Sequence, residues 1–343
     1  MAYTTIKKPG DYFNTKLYTG NNGTHAITGV GFQPDFIWLK PRNLADHHRL
    51  MNSVSSADTF LKSNSNGAED NTGVNFSSFD SDGFTLGGNN GGWNSSSYNY
   101  TSWNWKANGT GSANTDGSIS STVSVSATSG FSIVKYTGTG ANATVGHGLG
   151  VAPKMIIVKN TEATENWLVY HQSLENTSAL KLNQTNAKGT TSAYWNNTSP
   201  TSSTFSLGAS SEANTNADVN IAYCFRDVVG YSKFGSYVGN GNANGAFVYT
   251  GFKPAFVIIK YTSGTANWIM WDNKRNPSNV TNLLLKPNLN DAENTSTGNA
   301  LDFTSNGFKC RGTDSGSNAS GGNYIYLAFA EQPLIGDNPA TAR

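Results

Sequence analysis

Three stretches of the sequence follow one pattern, and that pattern limits what the chain can fold into. They are GFQPDFIWLK from Gly31 to Lys40, GLGVAPKMIIVK from Gly148 to Lys159, and GFKPAFVIIK from Gly251 to Lys260. In each, a glycine stands three residues before the proline and a lysine six after it. Proline cannot donate to a strand ladder, so it belongs at a strand entrance. The four apolar residues behind it read as a short strand buried on both faces.

Anchored on these prolines, the repeat extends in both directions. Tyr18, Tyr136 and Tyr237 precede them by 16, 17 and 17 residues. Eight residues after each lysine stand His48, Trp167 and Trp268, opening HRLMN, WLVYH and WIMWD. Phe84, Phe205 and Phe308 follow the prolines by 50, 52 and 54 residues, and Trp105, Phe225 and Phe329 come 21, 20 and 21 later. Landmarks kept in register three times define an internal repeat of roughly a hundred residues. The expected architecture is all-β: three tandem antiparallel β-sandwich, jelly-roll-like domains, with short strands between turn-rich loops. Their expected bounds are 12–106, 131–230 and 231–343, the last ending in a short tail, with an extended leader over 1–11 and a linker over 107–130.

Local signals fill in the frame. Asp82-Gly83 and Asn306-Gly307 read as type I′ hairpin turns, which want φ > 0 at both central residues. No stretch reads as a convincing helix; Asn176 to Gln184 and Ala292 to Ala300 have room for a turn or two. Residues 107–130 contain no aromatic and are rich in Gly, Ser and Asn, the composition of a flexible linker. Within them, Val123 and Val125 alternate like an edge strand of the second copy. Copies two and three, which abut at Gly230-Tyr231, are expected to pack as a rigid pair with copy one tethered loosely.

Apolar residues make up only 36% of the chain, as in some disordered sequences, but those carry high charge and few aromatics. Here only 13% of residues are charged and 17 Phe, 15 Tyr and 8 Trp stand at regular spacing, which argues for folded strands. A net charge of +1 does not supply the basic stripe that a phosphate backbone requires. No run approaches the ~18 apolar residues of a membrane-spanning helix. The first residues, MAYTTIKKPG, lack the apolar core of a secretory signal. Cys224 and Cys310 fall at non-equivalent repeat positions, so they read as two reduced core cysteines and not as a disulfide framework.

Catalytic patterns are weak. Asp80-Ser81-Asp82-Gly83 resembles the start of a calcium loop, but no glutamate follows at loop spacing and the third copy has Thr304-Ser305-Asn306-Gly307. Gly146-His147-Gly148 lacks a following helix to hold a phosphate. His171 stands in register with Asn52 and Asp272, without a nucleophile beside it. Gly230-Tyr231-Ser232-Lys233-Phe234 lacks the second glycine of a nucleophile elbow. A non-enzymatic protein is expected, with no cofactor and no metal. The better lead is aromatic: Trp93, Tyr98, Tyr194 and Trp195 lie among Asn, Ser and Gly, outside the strand landmarks. Exposed rings beside amides suit sugar stacking or a protein interface, and buried rings would instead cap the domain ends.

The stretches AYTTIKKPGDYFNTKLYTG, SANTDGSI, VGHGLGVAPKMIIVK, GYSKFGSYVGNG, GFKPAFVIIK, SNGFK and YIYLAFAE together resemble a family of virion-associated structural proteins of tailed bacteriophages of marine bacteria. The resemblance covers nearly the whole chain; copy one departs most from the pattern, with His48 where the other copies have tryptophan. It implies a structural component made in the host cytoplasm and displayed on the virion, in the tail or fibre, or as a head decoration or cement protein. The resemblance brings no catalytic residues. A carbohydrate-binding module or glycan hydrolase is the alternative from another class, the latter requiring paired carboxylates. Expected partners are other virion proteins, further copies of the chain, and host surface glycan. Attachment is expected through residues 1–11, where Tyr3, Ile6 and Pro9 would add a strand to a neighbour's sheet, with Trp195 foremost among rings that would meet sugar.

Overall fold

The structure, a computed structural model, describes residues 4–341. Each glycine-proline-lysine stretch forms a strand buried along nearly its whole length. Repeat one supplies β1 (Phe13–Thr19), β2 (His25–Thr28), β3 (Phe36–Pro41), β4 (Arg49–Asn52), β5 (Thr59–Phe60), β6 (Asp70–Asn71), β7 (Phe76–Asp80), β8 (Gly83–Leu86) and β9 (Asn99–Trp105). Repeat two supplies β10 (Ser112–Asn114), β11 (Ser121–Ser126), β12 (Phe131–Thr137), β13 (Ala143–Gly146), β14 (Met155–Asn160), β15 (Leu168–His171), β16 (Ser178–Lys181), β17 (Gly189–Thr190), β18 (Thr204–Leu207) and β19 (Val219–Phe225). Repeat three supplies β20 (Ser232–Val238), β21 (Phe247–Tyr249), β22 (Phe252–Tyr261), β23 (Ile269–Asp272), β24 (Leu283–Leu284), β25 (Asn294–Thr295), β26 (Leu301–Thr304), β27 (Gly307–Cys310) and β28 (Asn323–Pro333). Two one-turn helices, α1 (Ser192–Trp195) and α2 (Ser211–Asn214), lie in repeat two, and the span from Asn176 to Gln184 holds β16 and no helix.

The molecule is all-β, and its sheets repeat. The orders β1-β9-β3-β4, β12-β19-β14-β15 and β20-β28-β22-β23 are the same antiparallel four-strand arrangement three times. In repeat two, β11 and β10 extend it past β12, and β16 and β17 extend it past β15. Smaller sheets β2-β8-β7, β13-β18 and β21-β27-β26 accompany them. Pro34 and Pro153 precede their strands, but Pro254 lies inside β22, at a register shift where a missing amide is tolerated.

Successive side chains of a strand point to opposite faces, and this explains why the central strands are dry on both. Ile37 and Leu39 of β3 face a cluster confined to repeat one, with Phe84 and Leu86 of β8. Ile156 and Val158 do the same in repeat two, and Val257 and Ile259 in repeat three. The alternate residues, Phe36 with Trp38, Met155 with Ile157, and Phe256 with Ile258, all belong to one further cluster shared by the three repeats. Rings cross every boundary there: Phe36 to Tyr223 at 4.3 Å, Phe225 to Phe234 at 5.7 Å, and Phe13 to Phe329 at 5.0 Å between centroids. Each such side chain contributes about 1.5–3 kcal/mol by leaving water.

Several expectations are corrected here. Repeat one is not a loosely attached copy, since Phe13, Trp103 and Trp105 sit in the shared centre against Phe256 and Phe329. Residues 107–130 are not a bare linker. The amides of Ala107 and Gly109 donate to the Asp35 carboxylate, that of Asn108 donates to the Ser124 hydroxyl, and β11 pairs with β12 along its length. The leader turns inward: Ile6 joins the central cluster, Pro9 is buried, and the Thr4 hydroxyl donates to the Val229 carbonyl at 2.5 Å. Tyr3 lies outside the described residues. The hairpin turns also differ, because Asp80 pairs with Gly83 and Thr304 with Gly307, which centres the turns on Ser81-Asp82 and Ser305-Asn306. The glycines answer close strand approach: a Cβ on Gly83 would lie 1.9 Å from the Ile27 carbonyl, and one on Gly307 2.1 Å from that of Val248.

Candidate functional site

The polar residues that the sequence places in register are drawn into contacts between repeats. Asn52 donates to the Tyr223 hydroxyl at 3.3 Å, His171 Nε2 meets the Tyr326 carbonyl at 3.3 Å, and Trp103 Nε1 donates to Asp272 Oδ2 at 3.1 Å. Repeat one thus reaches two, two reaches three, and three reaches one. His48, Trp167 and Trp268 form a second ring, meeting the Lys286, Lys62 and Lys181 carbonyls, each at 3.0 Å. The copy-one departure at His48 therefore keeps the hydrogen bond with another ring nitrogen. A third ring is main chain: Glu69, Lys188 and Glu293 donate to the carbonyls of Thr161, Thr262 and Arg42. The three repeats are related by pseudo-threefold symmetry.

These groups are structural. Burial pulls His171 down to about 4 and His48 well below its ordinary value, so both imidazoles are neutral hydrogen-bonding groups in the fold. Lys40, Lys159 and Lys260 are buried and donate to the Leu44, Ala163 and Ala266 carbonyls, fastening the following loop. Burial lowers them to about 7, 8 and 8. Arg275 and Asp272 form a fully buried ion pair at 2.5 Å. Asp82 is a brace: its carboxylate accepts the Gly29 and Gly31 amides, which hold it below its ordinary value. His147 accepts the Leu149 amide within its own turn. Cys224 and Cys310 are free and buried. Among the described residues, no group of three or more His, Cys, Asp or Glu could hold a metal ion.

Two of the four singled-out aromatics are not at the surface. Trp93 is 2% exposed, with the Arg49 guanidinium 5.1 Å over its ring and Phe60 edge-on at 5.0 Å. Trp195, 1% exposed, closes α1 and donates to the Ser178 carbonyl at 3.1 Å, with Tyr170 edge-on at 5.7 Å. Tyr98 and Tyr194 are half-buried against these clusters. Loops rich in Asn and Gly carry no bulk of their own, so the rings fold inward and close the ends of the repeats.

Among the described residues, the exposed rings lie elsewhere, on β21. Phe247 is 49% exposed and Tyr249 57%, on either side of the buried Val248. Two residues along a strand place the rings about 7 Å apart on one face. Beside them on β27 stand Lys309, opposite Phe247, and Gly307, opposite Tyr249. Lys309 donates to Asn244 at 2.5 Å, and Asp302 beyond it pairs with Arg311 at 3.1 Å. The equivalent pairs are Ala26 with Thr28 and Thr144 with Gly146, taken from Ile27, Val145 and Val248 opposite Phe84, Phe205 and Phe308. Only repeat three therefore carries rings on this face. The alternation Phe-Val-Tyr was the available signal in the sequence.

Rings flanked by a lysine, a carboxylate and amides can stack on the apolar face of a sugar and bond its hydroxyls. No curated protein and no solved structure matches the chain. The domain of unknown function designated DUF7483 matches residues 8–333, through all three repeats, and the chain belongs to that family.

Proposed function

We propose that the protein is a non-enzymatic structural component of a bacteriophage particle, exposed as a tail- or fibre-associated protein, that holds host surface glycan on the outer face of repeat three. In this reading each repeat is an antiparallel β-sandwich, and the three are fused through their common core into one body. The phage assignment rests on the resemblance of the leader, linker and repeat motifs described above. The binding role rests on one observation: Phe247 and Tyr249 stand half exposed on a sheet face that carries only small residues in the other two repeats. A scaffold whose buried polar groups are tied between repeats suits presentation of such a face better than chemistry.

The test is the double variant Phe247→Ser with Tyr249→Ser, assembled into particles. Host adsorption should fall at least tenfold while incorporation stays normal. Loss of incorporation with intact adsorption per particle would favour the cement role instead, and absence of the protein from purified particles would remove the virion assignment.

A further inference from the structure

Pseudo-threefold symmetry provides an internal reference for a second surface. In repeat two, the outer edge of β12 is covered by β11, which pairs with it from Phe131 to Tyr136. The chain reaches that position through the boundary between repeats one and two, where the Ser53 hydroxyl donates to the Gly109 carbonyl. The equivalent edge of repeat three is that of β20, at the boundary between repeats two and three, and among the described residues no strand lies on it.

The open half of this edge is well defined. The Phe234 amide donates to Asp227 and its carbonyl accepts from Gln172, so Phe234 turns its main chain away from β28. In an antiparallel ladder the outward-facing residues alternate, which makes Ser236 and Val238 the next two with outward amides and carbonyls. Both side chains are exposed, Val238 to 57%. They border a cleft of about 470 Å3, walled opposite by Ser173, Leu174 and Glu175 of repeat two and by Lys188. An unpaired edge beside a cleft accepts an added strand.

We propose that the Ser236–Val238 edge of β20 receives an extended segment of a partner protein as an added antiparallel strand. Its chemistry is that of β11, the sequence STVSVS, in which small hydroxyl side chains alternate with valine. Uncharged small residues suit the cleft because Glu175 and Lys188 already neutralise each other at its rim. A segment of this kind makes main-chain hydrogen bonds to both residues and covers Val238.

The probe is a synthetic peptide of residues 119–126 added to the full-length protein, read by hydrogen exchange. At saturating peptide the Ser236 and Val238 amides should exchange at least tenfold more slowly, while the β12 amides, already covered in cis, stay unchanged. Val238→Pro removes an outward donor without touching the β28 ladder and should weaken peptide binding at least tenfold. Val238→Lys keeps the backbone and sets a charge on the edge, so it should weaken binding even where proline disturbs the strand. Absence of binding, or protection confined to other strands, would overturn the proposal. So would concentration-dependent protection of the same two amides without peptide, which would make a second copy of this chain the occupant.

Discussion

Arg42 and Glu293 join the first repeat to the third twice over. The guanidinium donates to both carboxylate oxygens at 3.1 and 2.8 Å, and the Glu293 amide donates to the Arg42 carbonyl at 2.6 Å. Arg275 shares the same carboxylate at 3.0 Å, and its side chain is fully buried. Residues far apart in sequence thus close the ring that the shared core begins.

Glu293→Ala should therefore destabilise the whole molecule and not one repeat. Removing one partner of a buried ion pair costs about 3–5 kcal/mol. Denaturation followed by tryptophan fluorescence and by far-UV circular dichroism should give coincident transitions in both proteins. Separate transitions would show that the repeats unfold independently.

Acid should act through His171. Its folded value, lowered to about 4 by burial, lies below the unfolded value near 6.5, so the unfolded chain binds the extra proton. Stability from this group is complete above about 6.5 and falls as the pH drops toward 4, by up to about 3 kcal/mol. His171→Asn, which places the repeat-one residue there, should shift the acid midpoint downward in a pH titration of circular dichroism. His48 and His147, lowered for the same reason, add to the slope.

Alkali should act through the three lysines. Their folded values of about 7, 8 and 8 lie below the ordinary 10.5, so stability rises with pH between about 8 and 10. Lys260→Met should flatten part of that rise. It should also lower the melting temperature at pH 9, because the Thr185, Tyr261 and Ala266 carbonyls lose a common donor. An unchanged slope would show that Lys260 keeps its proton in the folded state.

Ring substitutions should separate packing from binding. Trp195→Ala removes a buried indole and should cost about 3–5 kcal/mol in chemical denaturation. Phe247→Ser and Tyr249→Ser remove half-exposed rings and should each stay within about 1 kcal/mol. Equal losses at all three positions would mean that the β21 face is covered in the folded protein.

Much of the plan follows from single residues read in register. The prolines, the lysines and the final aromatics mark equivalent strands, and the strand period marks their dry faces. One further landmark was available. Asn94, Asn214 and Asn318 stand 11 residues before Trp105, Phe225 and Phe329. Each is fully buried and donates to two or more loop carbonyls or amide oxygens, as Asn318 does to Asn240, Asn242 and Gly312. Its spacing is visible in the sequence, but an asparagine in an asparagine-rich chain attracts no notice until its burial is known.

The sequence by itself determined the threefold repeat, the antiparallel strands and the doubly buried centre of each sheet, because these depend on local period and spacing. Only the tertiary structure decided what the second dry face packs against. Burial of apolar surface is non-directional, so Phe36, Met155 and Phe256 show that a face leaves water without naming its partner. The same reason sent Trp93 and Trp195 inward from polar loops and left Phe247 and Tyr249 outside, on a strand whose alternation alone does not say which face is wet.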